Sequence, residues 1–388
     1  MVSVEEKILI YEPSIKGHHT EYLEHLASYL SEQDDSKEYY FLTNPQLKEK
    51  FAYIVALTKN KSNVYWISLT ESEFEKINKG SRLMRSFQNY FLLKKYAGRL
   101  SIKKVLLMYF DIFQLPLCFF RPKFKVSGIL FLSFYRLRQD SLKAKVKYFL
   151  KYSLTKMLSR NESITNVFML NDESAAQYFN QKFNTNIFKM LPDPIPNWKA
   201  IDGFNIYKEY NIKQHRKIFI NVSYEPRKGH LAILDAINYL HPDIQEKICF
   251  LFVGGGNYPQ YINAIKQRID FYSLNSKVQI VFEHGRLSNE KLKSVFEQCN
   301  CSLMVYNNFV GSSGVLGHST FALKPVIGYD YGLIGELIKK HNLGKTVNNA
   351  QEIAEAISYY AENEIIIHKN DFTIDKTPEY FSNQLISI

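Results

Sequence analysis

Two short segments carry residue types that bind anions, SYEPRKGH at 223–230 and VGSSGVLGHSTFALKPVIG at 310–328. In the first, Arg227 and Lys228 lie in a turn between an apolar run and a helical pattern; in the second, Ser312, Ser313 and Gly314 open a helix after another apolar run. A helix N-terminus presents unpaired N–H groups and about half a positive charge, and glycine admits a phosphate close to the backbone. Taken singly, Ser312 and Ser313 read as an N-cap, and Arg227 and Lys228 as a solvated turn. Taken together, in the second half of a chain built as two parallel-sheet domains, they point to a diphosphate site. His318 follows Gly317 about one turn beyond Gly314 and can reach back to hydrogen-bond a hydroxyl, with packing in the domain interior as the alternative.

Other motifs fail on context. LGKT (343–346) resembles the end of a P-loop, but the first glycine would fall at Lys339 and no strand is expected before it. Gly254–Gly256 follows a strand yet lacks the third glycine of a dinucleotide fingerprint. No GxSxG and no DxD occurs, and His18, Glu21 and His25, although on one helical face, match no zinc spacing, so no metal is expected. The four cysteines form no CxxC pair, which suits a reduced, cytoplasmic setting without disulfides.

The elements that must hold these residues alternate. Strands are expected at KILIYEP (7–13), YYFLT, VYWISL, KKVLLMYF, SGILFLSF and TNVFML, with helical patterns between most of them. LPDPIPNW (191–198) reads as a linker, because proline neither continues a helix nor donates to a sheet ladder. A second series follows, with strands at KIFINVS, KICFLFVGG, VQIVFEHG, CSLMVY and KPVIGYD, each followed by a helix. The expected fold class is α/β: two tandem Rossmann-like, doubly wound parallel-sheet domains, 1–192 and 198–373, with a cleft between them for the ligand. Residues 374–388 should form a helix that packs back on the first domain.

The charge is localised. Residues 79–156 hold 18 Lys and Arg against Asp111 and Asp140, a local +16 in a chain of net +11, so the remainder carries −5. Interleaved aromatics, as in KAKVKYFLKYSLTK, suit an anionic membrane surface, and a lysine face over a core stripe is the plainer reading of either helix alone. No nucleic-acid module is recognisable, so nucleic acid is not an expected partner. The acidic start MVSVEEKILIYEPS is unlike a secretion signal, and the apolar stretch 105–120 is broken by Asp111, Gln114 and Pro116, so no membrane span is expected. A cytoplasmic protein attached peripherally to the inner face of the cell membrane is the expected location.

NVSYEPRKGH, FVGGGNYP, FEHGRLSNEKL and VGSSGVLGHSTFALKPVIG follow one another in an order and spacing that resembles the donor domain of GT-B glycosyltransferases, most nearly the retaining family 4. The resemblance spans roughly 150 residues and implies transfer of a sugar from a nucleoside-diphosphate sugar, UDP or GDP, without a metal or other cofactor. The acceptor it suggests is lipid-linked or a saccharide, in surface polysaccharide or glycolipid assembly. By resemblance, Lys228 contacts the donor diphosphate as a catalytic group, Arg227 replaces an arginine the family often carries where this chain has Ser223, and Gly254 and Gly255 line the donor site. The amides of Ser312, Ser313, Gly314 and Val315 hold the distal phosphate, Arg286 and Leu287 face the base, and the loop at Gly17 closes from the first domain. The family's two glutamates fall here at Val310 and His318, neither of them an acid. Asp111 and His19 are the candidate catalytic groups of the first domain, with a helix cap as the simpler role for Asp111. A sugar-nucleotide epimerase of the same architecture, or a catalytically inactive relative that binds nucleotide sugars, are the alternatives.

Overall fold

The computed structural model describes residues 6–131, 133–137, 139–365, 367 and 371–388. Residues 1–5, at the expected acidic start, Leu132 in SGILFLSF, and Arg138 in the basic region lie outside the described residues. The chain divides into two compact units, Met1–Asp193 with Thr377–Ile388, and Pro194–Lys376.

The first unit is built on seven strands, β1 Lys7–Glu12, β2 Glu38–Thr43, β3 Val64–Ser68, β4 Lys104–Leu107, β5 Lys125–Leu130, β6 Ile164–Leu170 and β7 Phe188–Leu191. They pair in the order β3-β2-β1-β4-β5-β6-β7, all parallel. A parallel sheet is covered on both faces, which is why its central strands are continuous apolar runs. Leu9, Tyr11, Val105 and Leu107 pack on one side with Tyr90, Leu93 and Phe110. Ile8, Ile10, Leu106 and Met108 pack on the other with Leu23, Leu26 and Leu30 of the helix His18–Glu32, joined there by Phe381 and Leu385 of the C-terminal helix Pro378–Ile386.

The second unit has six strands, β8 Lys217–Val222, β9 Ile248–Gly254, β10 Gln279–His284, β11 Cys301–Met304, β12 Val326–Tyr329 and β13 Gly344–Val347. Their order is β10-β9-β8-β11-β12-β13, again all parallel. Each sheet therefore contains the doubly wound 3-2-1-4-5-6 arrangement, whose strand order reverses at one point. Ligands bind outside the carboxyl ends of the strands at that reversal. In the first sheet the reversal lies between β1 and β4, and in the second between β8 and β11.

The sequence reading missed β7 and β13. Both are four-residue edge strands with one neighbour each, so neither needs an unbroken apolar run. Gly344 explains how so short a segment as GKTV can pair: a Cβ there would stand 1.9 Å from the Val326 carbonyl oxygen, and only glycine admits that approach. KKVLLMYF is strand only over Lys104–Leu107, and the chain then turns through a 3-10 segment at Phe110–Ile112. SGILFLSF is strand only as far as Leu130.

Candidate functional site

In the second unit the two segments singled out from sequence follow the two strands of the reversal. β8 and β11 pair only through Phe219–Cys301 and Ile220–Ser302, and then part. Buried Asn221 occupies the gap, its amide donating to the Lys228 carbonyl and to the Leu303 carbonyl, both at 2.9 Å. One side chain thus ties the turn after β8 to β11 through two backbone carbonyls.

Beyond it the chain makes a 3-10 turn, Pro226–Lys228, and passes through Gly229 at φ 75°. A Cβ on Gly229 would lie 2.0 Å from the Val305 carbonyl oxygen, so the turn sits against the loop after β11 only because that residue is glycine. Lys228 is only 4% exposed. Its ammonium donates to the Tyr306 hydroxyl at 2.8 Å, and among the described residues no carboxylate lies within 4 Å of it. A buried cation without a carboxylate partner is costly.

Arg227 is placed differently from its neighbour. Its Nε donates to Glu225 Oε2 at 2.8 Å, and its guanidinium lies over Phe309 at 4.6 Å and Tyr306 at 5.6 Å. It is a clamp on the 306–309 loop in this state. That loop is further pinned by the Arg227 carbonyl, which accepts from the Asn307 amide at 2.7 Å, and by Tyr331, whose hydroxyl donates to the Tyr306 carbonyl at 2.5 Å and accepts from the Asn308 amide at 2.7 Å.

The helix Gly314–Phe321 begins after this loop. Ser313 stands at its N-cap but its side chain makes no capping hydrogen bond, and Ser312 is half-buried. The Ser313 carbonyl accepts from the Leu316 amide, while Gly314 and Val315 begin the first turn, where backbone N–H groups have no partner within the helix. Ser319, one turn on, ties the helix to β11 through a 2.7 Å contact between its hydroxyl and that of Ser302.

His318 does not reach back toward the loop. Its ring stacks on Trp198 at 4.8 Å and on Phe296 at 5.5 Å, and this burial, with Lys293 nearby, pushes its pKa down to about 4. The helix turns position 318 toward Asn289–Gln298, the helix that carries Phe296, so the packing alternative describes it.

Ser223, at φ 67°, donates its hydroxyl to the Val222 carbonyl and holds no arginine-like role. The loops after β8, β9 and β10 are knitted by backbone. The Tyr224 amide donates to the Gly255 carbonyl at 2.9 Å and the Gly285 amide to the Gly254 carbonyl at 3.0 Å. Arg286 is exposed beside Gly255, and Leu287 is half-buried.

In the first unit Gly17 is the N-cap residue of the helix His18–Glu32, with φ 60° and no side-chain cap. His19 Nδ1 lies 2.6 Å from Glu12 Oε2, and Glu12, buried at the end of β1, also accepts from the Ser14 amide at 2.7 Å. A carboxylate that fixes one imidazole nitrogen leaves the other to work on a substrate proton. His18, exposed at the start of the helix, stacks on His19 at 4.5 Å.

Asp111 neither ends a strand nor caps a helix. Buried in the 3-10 segment after β4, its carboxylate accepts from the Phe131 amide at 2.8 Å and so holds the loop after β5. Gly17, His19 and Asp111 nevertheless all follow β1 or β4, the strands of the first sheet's reversal. Sequence reasoning overlooked Asn221, Tyr306, Tyr331 and Glu12. The signal for Asn221 and Glu12 was present: each is a polar residue at the carboxyl end of an apolar run, next to last in β8 and last in β1.

Residues 204–377 match the sequence model of the family described as glycosyl transferases group 1. None of the curated protein sequences matches the chain significantly. Among solved structures, Anabaena HepE in complex with UDP and glucose is 15% identical, with a TM-score of 0.60 over 99% of this chain and 97% of its own. A glycosyltransferase from Rickettsia africae is 14% identical at a TM-score of 0.57, covering 98% and 92%. WaaG, a glycosyltransferase involved in lipopolysaccharide biosynthesis, is 12% identical at 0.60, covering 97% and 94%. The architecture shared with these structures is the two-domain GT-B fold.

Proposed function

We propose that the protein is a glycosyltransferase that takes a sugar from a nucleoside-diphosphate sugar, UDP or GDP, and passes it to a lipid-linked or saccharide acceptor in surface polysaccharide or glycolipid assembly. The observation that carries this reading is Lys228, a buried ammonium at the strand reversal whose polar partner is a hydroxyl and not an acid. A diphosphate supplies the missing charge. The side-chain-uncapped start of the helix Gly314–Phe321 supplies amides for the distal phosphate. As the sugar–phosphate bond breaks, negative charge grows on the leaving diphosphate, and a preorganised cation with oriented amides stabilises that charge most where it develops.

The match over 204–377 supports sugar transfer as the chemistry, and the neighbours solved with UDP support a uridine donor. On this reading Arg227 exchanges Glu225 for phosphate when the donor binds, Gly254, Gly255, Arg286 and Leu287 border the nucleoside, and the reaction needs no metal. Retention of configuration, as in family 4, is proposed with it. In the first unit His19, oriented by Glu12, is the group we assign to the acceptor hydroxyl. A location on the inner, cytoplasmic face of the cell membrane goes with a lipid-linked acceptor.

Thermal-shift screening against UDP-, GDP-, ADP- and CMP-sugars tests the reading, because a ligand bound only by the folded state raises its melting point. Stabilisation by one nucleotide class, followed by release of that nucleoside diphosphate in the presence of acceptor, is the expected result. No stabilisation by any of them would remove the proposal, and interconversion of the sugar without acceptor would favour an epimerase.

A further inference from the structure

Ligand chemistry aside, one surface of the first unit is built in a way that core packing does not explain. The helix Leu142–Leu158 buries only Thr155 and Leu158. Its inward side rests on Tyr148 and Tyr152, whose rings meet Phe134 at 5.1 and 6.1 Å. Facing the other way are Leu142, Val146, Phe149 and Leu150, exposed by 80, 52, 66 and 58%, with Met157 at the far end.

At 3.6 residues per turn these five side chains fall within a stripe about 100° wide. Lys145 and Lys156 run along one border of the stripe, Lys143 and Lys147 along the other, and the helix contains no acid. The helix Gln114–Phe119 packs beside it and the helix Arg82–Arg99 packs in turn on that one, with Phe119 and Phe91 both exposed.

We infer that this stripe is inserted into the interface of an anionic lipid bilayer, with its flanking lysines on the headgroups. An outward apolar band bordered on both sides by cations is the pattern of a helix lying in the plane of a membrane surface. The charge selects among occupants. A second copy of this chain would bring one +16 region against another, and nucleic acid would leave Leu142, Val146 and Leu150 in contact with water. An anionic bilayer satisfies the lysines and buries the aliphatic groups at once.

The helix follows β5, so its exposed N-terminal half starts at the carboxyl edge of the first sheet, the edge that carries Glu12, His19 and Asp111. A lipid-linked acceptor therefore meets the first unit at its candidate catalytic loops. That last consequence rests on the proposed glycosyl transfer, whereas insertion of the helix does not.

Cosedimentation with vesicles tests it, using equal parts phosphatidylcholine and phosphatidylglycerol against phosphatidylcholine alone. The protein should pellet with the anionic vesicles at low salt and be released as ionic strength rises past ~0.1 M, where screening acts over about 10 Å. Phe149→Ser combined with Leu150→Ser should lower partitioning at least roughly tenfold, since both side chains leave a buried position. The pair is exposed in the free protein, so its melting temperature should not change, and nucleotide binding by the second unit should be untouched. Phe149→Trp should shift its fluorescence to the blue on adding anionic vesicles. A wild-type protein that stays in the supernatant, a double variant that pellets undiminished, equal pelleting with phosphatidylcholine alone, or a stripe variant that instead abolishes a dimer would each overturn the inference.

Discussion

Replacing Lys228 by methionine separates what the residue does for the fold from what it does for a ligand. Methionine keeps an unbranched side chain, one atom shorter, and removes the charge. In the free protein the ammonium is buried, with the Tyr306 hydroxyl as its hydrogen-bond partner and no acid nearby among the described residues. The Tyr306 ring, 4.2 Å from the ammonium, offsets only part of the desolvation cost that losing the charge relieves, so Lys228→Met should melt at the same temperature or higher, each ~1 kcal/mol gained being worth about 2 to 4 °C in a unit of this size. With nucleotide the sign reverses. A charge-assisted hydrogen bond to phosphate contributes about 1.5 to 3 kcal/mol, so affinity for UDP or GDP should fall roughly tenfold to 150-fold. Calorimetric titration and thermal melting of the same two preparations read both numbers. A variant that melts several degrees lower yet binds nucleotide within twofold of wild type would refute the reasoning, because Lys228 would then be a structural residue.

Three further outcomes are expected. Asn221→Leu leaves the Lys228 and Leu303 carbonyls without their shared donor, which should cost about 1 to 3 kcal/mol per buried group and lower both the melting temperature and the donor affinity. His25 and His318 are held at about 4 and His230 at about 3 by burial, below the ordinary 6.5, so the folded state resists protonation. Their stability contribution is complete above pH 6.5 and is lost as pH falls toward 4; His318→Phe, which keeps the stack on Trp198 and Phe296, should flatten that loss in denaturant titrations while leaving donor turnover intact. Asp111→Asn keeps an oxygen for the Phe131 amide, so turnover should stay within a few-fold of wild type, and a collapse of kcat with unchanged melting would return Asp111 to the chemistry.

The parallel sheets were legible in the sequence because their central strands are buried on both faces and are therefore largely apolar runs, as in IFI of β8 and ICFLFVG of β9. β7 and β13 were not, since an edge strand of four residues needs neither length nor continuity. The two candidate anion-binding segments could be read from residue type alone, and the strand order then placed both at one reversal, a fact no local pattern contains. For His318 the sequence leaves a hydroxyl contact and interior packing both open, because one turn of spacing fixes a helical face but not which neighbour that face meets; Trp198 lies 120 positions away. The helix cap expected of Asp111 fails for a related reason, since its carboxylate accepts from the amide of Phe131 on another strand's loop and does not cap the next helix. Glu12 and Asn221 carried a visible signal, polarity at the carboxyl end of an apolar run, whose meaning depended on β1 and β8 standing at the reversals.

A crystal structure of the chain with UDP or GDP bound tests the placement of the diphosphate most directly. Phosphate oxygens should lie within hydrogen-bonding distance of Lys228 Nζ and of the backbone amides of Gly314 and Val315. Nucleotide bound elsewhere, with Lys228 still donating only to Tyr306, would contradict the assignment of this site.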